Sequence, residues 1–377
     1  MSVATGLIVA NIYYCQPLII LISKAFAVEE SRAGVITFLT QAGYAAGLLF
    51  FVPLGDKFER RGQIMFMTSC AVVALVIAAV APNLVTLEIA SFLIGATSIV
   101  PQLILPLAAA LTSPDRRGKV IGTIMSGLII GILLSRTLSG FIGAIIGWRG
   151  MFWIAAGISL SLLVLMRLSF PESTPAFKGS YATLMRSLLT LIKEQPLLRE
   201  ASLITALAFA NFGMFWTTMV LHLAGDPFYY GSDRIGMFGL AAAMGALAAP
   251  LVGGAADKRN PRIAVGYGIL VMLISYVIFF AYSFSILVLI IGIVLLDLGM
   301  QGIHVSNQSR VYTLLPEARN RLNTVYMTIG FTGTSLGSAI GLIVWESSGW
   351  KGVCVTGVII SLLCFLVYGL TYRKTPR

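Results

Sequence analysis

One acid stands in the middle of an apolar run. Asp297 is flanked by Leu295, Leu296, Leu298 and Gly299, and Gln301, His304, Asn307 and Gln308 follow it. A carboxyl group in such surroundings is costly to keep ionised, so it is a functional candidate and can take up a proton near neutral pH. Asp297 and His304 are seven residues apart, two turns along one helical stripe. Asp297 reads either as a coupling or solute-binding residue or as a structural partner, and His304 equally as a satisfied polar packing residue. Arg136 is the matching cation, placed well inside another apolar run. Pairing with Asp297 would neutralise both groups. Otherwise Arg136 caps carbonyls of the eighth span or binds an anionic group on a solute.

Amides and aromatics cluster in two further runs. Asn11, Tyr14 and Gln16 precede Pro17, and Asn211, Trp216 and Thr217 echo them two hundred residues later. Such a mixture suits an amphipathic organic solute, while Tyr13 and Trp216 read equally as core.

Two tight loops repeat a charge pattern. Asp56-Lys57 is followed by Arg60 and Arg61, and Asp257-Lys258 by Arg259 and Arg262. Ala10-Asn11 recurs as Ala210-Asn211, and Pro114-Asp115-Arg116-Arg117-Gly118-Lys119 recurs as Pro316-Glu317-Ala318-Arg319-Asn320-Arg321. Three features at nearly one offset mean two parallel halves, a transporter pattern with its solute site between them near mid-membrane.

The elements that carry these residues are membrane helices. The 377 residues are 58% hydrophobic and 11% charged, where a soluble domain has about 25% charged. Hydrophobicity is continuous over runs of about 20 residues, without the alternation of a barrel strand. Twelve spans are expected, at 4–24, 33–53, 63–81, 85–111, 120–143, 150–167, 200–222, 233–252, 263–281, 285–309, 323–344 and 352–371. Of the 26 Lys and Arg, 20 fall in loops on one side, five on the other, and Arg136 within a span. The positive-inside rule then makes both termini cytoplasmic, against the first loop alone, which holds Lys24 and Arg32. The same placement removes nucleic acid as the reason for the net charge of +11.

The expected organisation is a six-helix bundle over 1–167, a cytoplasmic linker over 168–199 and a second bundle over 200–377. Phe170-Pro171-Glu172-Ser173-Thr174-Pro175 breaks the chain. Tyr181, Leu184, Met185, Leu188, Leu189 and Ile192 then recur at helical spacing, an amphipathic helix that ties two bundles or meets a partner. No basic leader precedes Lys24, so the first run is a span rather than a cleaved signal, although the numbered start can lack a short basic tail. Cys15, Cys70, Cys354 and Cys364 lie in apolar runs without metal or redox spacing and act as small apolar residues.

These loops resemble those of the major facilitator superfamily, over essentially the whole chain. That family's loop between spans two and three reads G-x-x-x-D-[RK]-x-G-R-[RK]. Here Val52 and Glu59 replace the glycines, and Asp56, Lys57, Arg60 and Arg61 match. The second copy keeps Gly253, Asp257, Lys258 and Arg262. Span five is similar to the antiporter motif G-x-x-x-G-P-x-x-G-G of drug-efflux members. Gly131 and Gly140 match, Ser135 and Ser139 are small substitutes, and Arg136 replaces the proline. The family's basic residue in span four aligns with Ser91, so a relay through it is absent. Overall the chain resembles bacterial drug and sugar efflux permeases.

The resemblance implies an all-α integral membrane protein with twelve helices in two pseudo-symmetric halves, a monomer in the bacterial inner membrane that touches lipid, protons and a small solute, with no cofactor and no metal. It implies a conformational gate at Asp56, Lys57, Arg60, Arg61, Asp257, Lys258 and Arg262. Asp56 would meet the start of span eleven near Asn323, and Asp257 the start of span five near Gly118, each on a helix N-terminus. It implies close packing by Gly131, Ser135, Ser139 and Gly140. First helices of each triplet line the cavity in this family, which places Asn11, Tyr14, Gln16, Asn211 and Trp216 at the solute cavity. Helical spacing from Asp297 adds Gln301, His304 and Asn307 to the cavity candidates, and position within a span makes Asp297 and Arg136 the candidate proton-coupling pair.

The function expected is proton-coupled transport of a drug-like or sugar-like solute by alternating access, as efflux antiport. Uptake by proton symport and an uncoupled facilitator are the alternatives, and a facilitator needs no buried carboxylate. An ATP-driven pump or a membrane enzyme lacks its motif: there is no Walker A, HExxH or GxSxG, and two histidines are too few for a usual metal site.

Overall fold

Proline dictates where the first spans bend. In the computed structural model, which describes residues 1–172, 179–257, 260–315 and 318–372, the span expected over 4–24 is not one helix. α1 (Ser2–Ala10) gives way to turns, a 3₁₀ segment (Gln16–Leu18) and α2 (Ile19–Phe26). Pro17 has no N–H, and its ring collides with the carbonyl four residues before it. The amides of Asn11, Ile12 and Tyr13 instead bond three residues back, to Ile8, Val9 and Ala10. The second span is α3 (Glu30–Phe50), and a short α4 (Leu54–Lys57) restarts after Pro53. α5 (Arg60–Ala79) is the third. The fourth, expected as one helix, divides ahead of Pro101 into α6 (Leu84–Thr97) and α7 (Val100–Ala110).

Glycine makes the sharpest reversals. α8 (Pro114–Ser169) turns at Gly147, with φ 77° and ψ 168°, and so holds the fifth and sixth expected spans. After α9 (Tyr181–Glu194), α10 (Pro196–Ala224), α11 (Ser232–Asp257), α12 (Pro261–Ala281) and α13 (Ile286–Tyr312), the last helix α14 (Arg319–Tyr372) turns at Gly349, with φ 59°. Side chains with a Cβ rarely adopt these angles.

Among the described residues, eight stretches are helical, long and apolar enough to cross a membrane, and none is a strand. Large apolar side chains face outward: Ile145 is 80% exposed, Leu168 78% and Leu287 68%. Polar groups go inward, among them Gln16, Arg136, Asn211 and Asp297, each no more than 3% exposed. That inversion is what a lipid solvent demands of a helix bundle.

Two compact units make up the chain. The first is Met1–Ser187 with Tyr230–Gly239, the second Leu188–Tyr229 with Leu240–Arg377. In the first unit α3 packs on α6, and α1 and α5 pack on α8; in the second α10 lies along α14 and α12 along α13. Small residues set these distances. A methyl on Gly131 would run into the carbonyl of Gly6, and one on Gly333 into that of Ala206. Close backbone approach of this kind is the usual glue between membrane helices.

Candidate functional site

The loop at Asp56 is built from its own neighbours. Arg60 donates from Nη2 to Asp56 Oδ1 at 3.0 Å and from Nε to the carbonyl of Gly55 at 3.1 Å. Glu59, where the family has glycine, is the N-cap of α5. Its carboxylate accepts the amides of Arg61 at 2.9 Å and Gly62 at 2.5 Å. A negative cap also suits the positive end of the helix. Arg61 reaches past it to the carbonyl of Arg167 at 2.6 Å and to Glu172 at 3.3 Å. Lys57 lies over the ring of Phe58, 5.7 Å from its centroid.

The second loop repeats the plan. Asn260 caps α12 by accepting the amide of Arg262 at 2.9 Å, and Arg262 reaches Thr371 Oγ1 at 2.9 Å and the carbonyl of Tyr368 at 3.4 Å. Here a carboxylate is added. Glu200 Oε1 accepts from Arg262 at 3.2 Å and from Arg310 at 3.1 Å, with all three side chains at or below 9% exposed. Lys258 and the side chain of Asp257 lie outside the described residues.

Arg136 is held by span one. Its Nε donates to Gln16 Oε1 at 2.7 Å, and its guanidinium lies 4.8 Å from the centre of the Tyr13 ring. Pro17 makes this geometry available, because the broken helix ahead of it carries Tyr13 and Gln16. Ser139, one turn further along α8, donates to the carbonyl of Tyr14 at 2.5 Å. Ser135 turns back on its own helix, to the carbonyl of Ile132 at 2.6 Å. Beyond it α8 meets the start of α11: a methyl on Gly140 would collide with the carbonyl of Ser232, and Thr137 donates to the carbonyl of Gly236 at 2.9 Å. Gly131 serves span one and Gly140 serves α11, so the small-residue motif works on two faces.

Asp297 is 2% exposed on α13, where α13 crosses α11. A methyl on Gly245 would stand 3.0 Å from the Asp297 Cβ. At the like place in the first unit Gly95 of α6 lies against the carbonyl of Thr40. The acid thus occupies a crossing that the first half fills with glycine, and Gly245 opposite gives it room.

Six of the eight cavity candidates are buried: Asn11, Tyr14, Gln16, Asn211, Trp216 and Asn307. Asn211 donates to the carbonyl of Gly357 at 3.2 Å and to Ser361 at 2.9 Å, and its own carbonyl accepts Tyr276 at 2.6 Å. Gln301 and His304 keep accessible surface. His304 stacks on Tyr326, ring centres 5.6 Å apart and planes at 11°, with Phe209 on another side at 5.3 Å. Tyr326, Thr205, Glu200 and Arg310 complete this region, and sequence reasoning had not singled them out for it. Glu200 and Arg310 carried a signal, as charges at span ends, but were legible only as topology; Thr205 and Tyr326 carried none.

The protein is a membrane transporter of the major facilitator type by fold and sequence together. The Major Facilitator Superfamily model matches residues 1–224 and 201–377, and the chain belongs to that family. It is 45% identical over 378 residues to the uncharacterized transporter YgaY of Escherichia coli O157:H7, covering 99% of this chain and 95% of that one. A protein of Helicobacter acinonychis named Probable sugar efflux transporter is 23% identical, covering 94% and 89%. Among solved structures, a bacterial homologue of the human lysosomal transporter Spinster superposes with TM-score 0.77 at 13% identity, covering 98% of this chain and 96% of that one. The nucleoside transporter NupG superposes with TM-score 0.73 at 16% identity, covering 98% of each.

Proposed function

We propose that the protein is a proton-coupled antiporter that expels a small hydroxylated or drug-like organic solute across the bacterial inner membrane, as a monomer with both termini in the cytoplasm. The observation that carries proton coupling is the burial of Asp297 at a helix crossing within the membrane, where a permanent charge is costly and a proton relieves the cost. Antiport is supported by the Gly131–Gly140 segment, whose glycines hold close helix contacts on two faces. A sugar-like solute is supported by the name of the Helicobacter relative and by the aromatic rings beside the accessible His304. The loops at Asp56 and Arg262 then serve as conformational gates, through pairs that can be remade between states.

The experiment is flux in proteoliposomes containing a pH-sensitive dye. Under an imposed proton gradient, a transported glycoside should be accompanied by proton movement in the opposite direction. Asp297→Asn, nearly constant in volume, should abolish gradient-driven flux while solute exchange without net proton movement survives. Unaltered pH-dependent flux in that variant removes Asp297 from coupling. Proton movement in the same direction as the solute makes the protein a symporter.

A further inference from the structure

The reversal Gly147-Trp148-Arg149 recurs as Gly349-Trp350-Lys351, and the same spacing carries Ala81 to Ser283 and Asn83 to Ser285. In the first unit Arg149 does two things. Its Nη2 donates to the carbonyl of Ala81 at 2.9 Å, and its guanidinium lies 4.1 Å from the centre of the Trp148 ring. Asn83 caps α6 by accepting the amide of Thr86 at 2.9 Å. Loop, tryptophan and cation satisfy one another.

The second unit gives both tasks to another residue. His222, at the end of α10, lies with Nε2 2.8 Å from the carbonyl of Ser283, and a carbonyl only accepts, so the ring donates. The imidazole also stacks on Trp350, ring centres 4.3 Å apart and planes at 5°. Lys351 is left with neither partner. None of the hydrogen bonds, ion pairs or ring contacts among the described residues involves it, and it is exposed. Ser285 stands at the start of α13, where its side chain makes no cap bond. Lys351 and residues 280–285 instead line an open cavity of about 590 Å³.

We propose that this cavity holds the headgroup of an anionic phospholipid, with Lys351 Nζ and the Ser285 hydroxyl donating to its phosphate oxygens. The rim fits a lipid. Phe280, Phe284 and Leu287 are exposed, and so is Tyr282, an aromatic of the kind that sits at headgroup depth. A free phosphate would bind the lysine but leave those apolar side chains uncovered, whereas acyl chains cover them. Charge selects the headgroup. A cation lines the cavity and no carboxylate does. A zwitterionic lipid would bring its own ammonium toward Lys351; phosphatidylglycerol brings hydroxyls instead. The leaflet rests on the topology proposed above, which makes it the outer one, while the site itself does not depend on that reading.

Photocrosslinking reads this site directly. Phosphatidylglycerol with a diazirine in its acyl chain is added to the full-length protein in detergent, and labelled peptides are measured by mass spectrometry. The same probe built on phosphatidylethanolamine is the comparison. The peptide holding residues 280–287 should be labelled more by the phosphatidylglycerol probe. Lys351→Gln should lower that labelling roughly fivefold, the effect of one cation beside an anionic headgroup, and leave the phosphatidylethanolamine signal unchanged. Lys351→Arg should restore it. Arg149→Gln, at the matching position whose cation the protein itself engages, should leave labelling of 280–287 as in wild type. Equal labelling by the two probes, or full labelling in Lys351→Gln, overturns the proposal. A parallel loss in Arg149→Gln reduces it to an effect of net charge and overturns it as well. Inorganic phosphate that abolishes labelling at the concentration of the lipid makes the free anion the occupant and overturns the lipid assignment. Detergent micelles have no leaflets, so an error in the topology would appear in reporter fusions and leave these outcomes unchanged.

Discussion

Arg61 Nη2 holds the carbonyl oxygen of Arg167 at 2.6 Å, a partner 106 residues along the chain. Arg262 Nη2 makes the same contact with Tyr368, also 106 residues along, at 3.4 Å. In each unit an arginine at the start of one membrane helix therefore fastens the end of another. The repeat reaches individual bonds, beyond composition. The second copy differs in adding Glu200, which Arg262 shares with Arg310.

That addition makes Glu200 a sensitive position. Glu200→Gln removes the buried charge that Arg262 and Arg310 share and is expected to destabilise the protein by about 3–5 kcal/mol. Glu172→Gln, at the 82% exposed partner of Arg61, should cost less than about 1 kcal/mol. Thermal unfolding in detergent, followed by tryptophan fluorescence, compares them. Equal midpoints would show that burial of the Glu200 cluster contributes nothing.

Gln16 supplies an uncharged acceptor to a buried cation. Gln16→Leu should cost about 1.5–3 kcal/mol, the range for a hydrogen bond to a charged group. Arg136→Lys should lose stability too, since a lysine cannot keep both the Gln16 bond and a flat guanidinium over Tyr13. A Lys variant as stable as wild type would remove the geometric role given to the guanidinium.

Glycines along α8 should differ sharply in tolerance. Gly140→Ala drives a methyl into the carbonyl of Ser232, whereas nothing lies within 4 Å of a methyl at Gly122. The first is expected to lower folded yield and unfolding temperature; the second should be neutral or slightly stabilising, as alanine favours helix. Size-exclusion recovery and unfolding midpoint of the two variants test this pair.

Topology is open to reporter fusions. The excess of Lys and Arg in alternate loops expects cytoplasmic signals from fusions after Arg199 and after Arg377. A fusion in the loop at Tyr282 should read on the opposite side. An external signal from either of the first two positions overturns the assignment.

What the sequence determined by itself was everything set by composition and spacing. Apolar run length fixed the membrane class, the Asp56 and Asp257 loops fixed the two-fold repeat, and Pro17 and Pro101 mark where spans cannot run straight, although run length alone predicts both spans unbroken. Gly147 and Gly349 marked the reversals without being read as such. Tertiary structure decided which partner each polar group takes. Gln16 lies 120 residues from Arg136, and Glu200 lies 110 from Arg310. Whether such pairs meet depends on the rotation and depth of each helix against its neighbours. Apolar patterning leaves those two variables undetermined in a membrane helix that is hydrophobic on every side. The same freedom hid Tyr326 and Thr205. Only the packing of α10 and α13 against α14 brought these two hydroxyls together and set Tyr326 against His304.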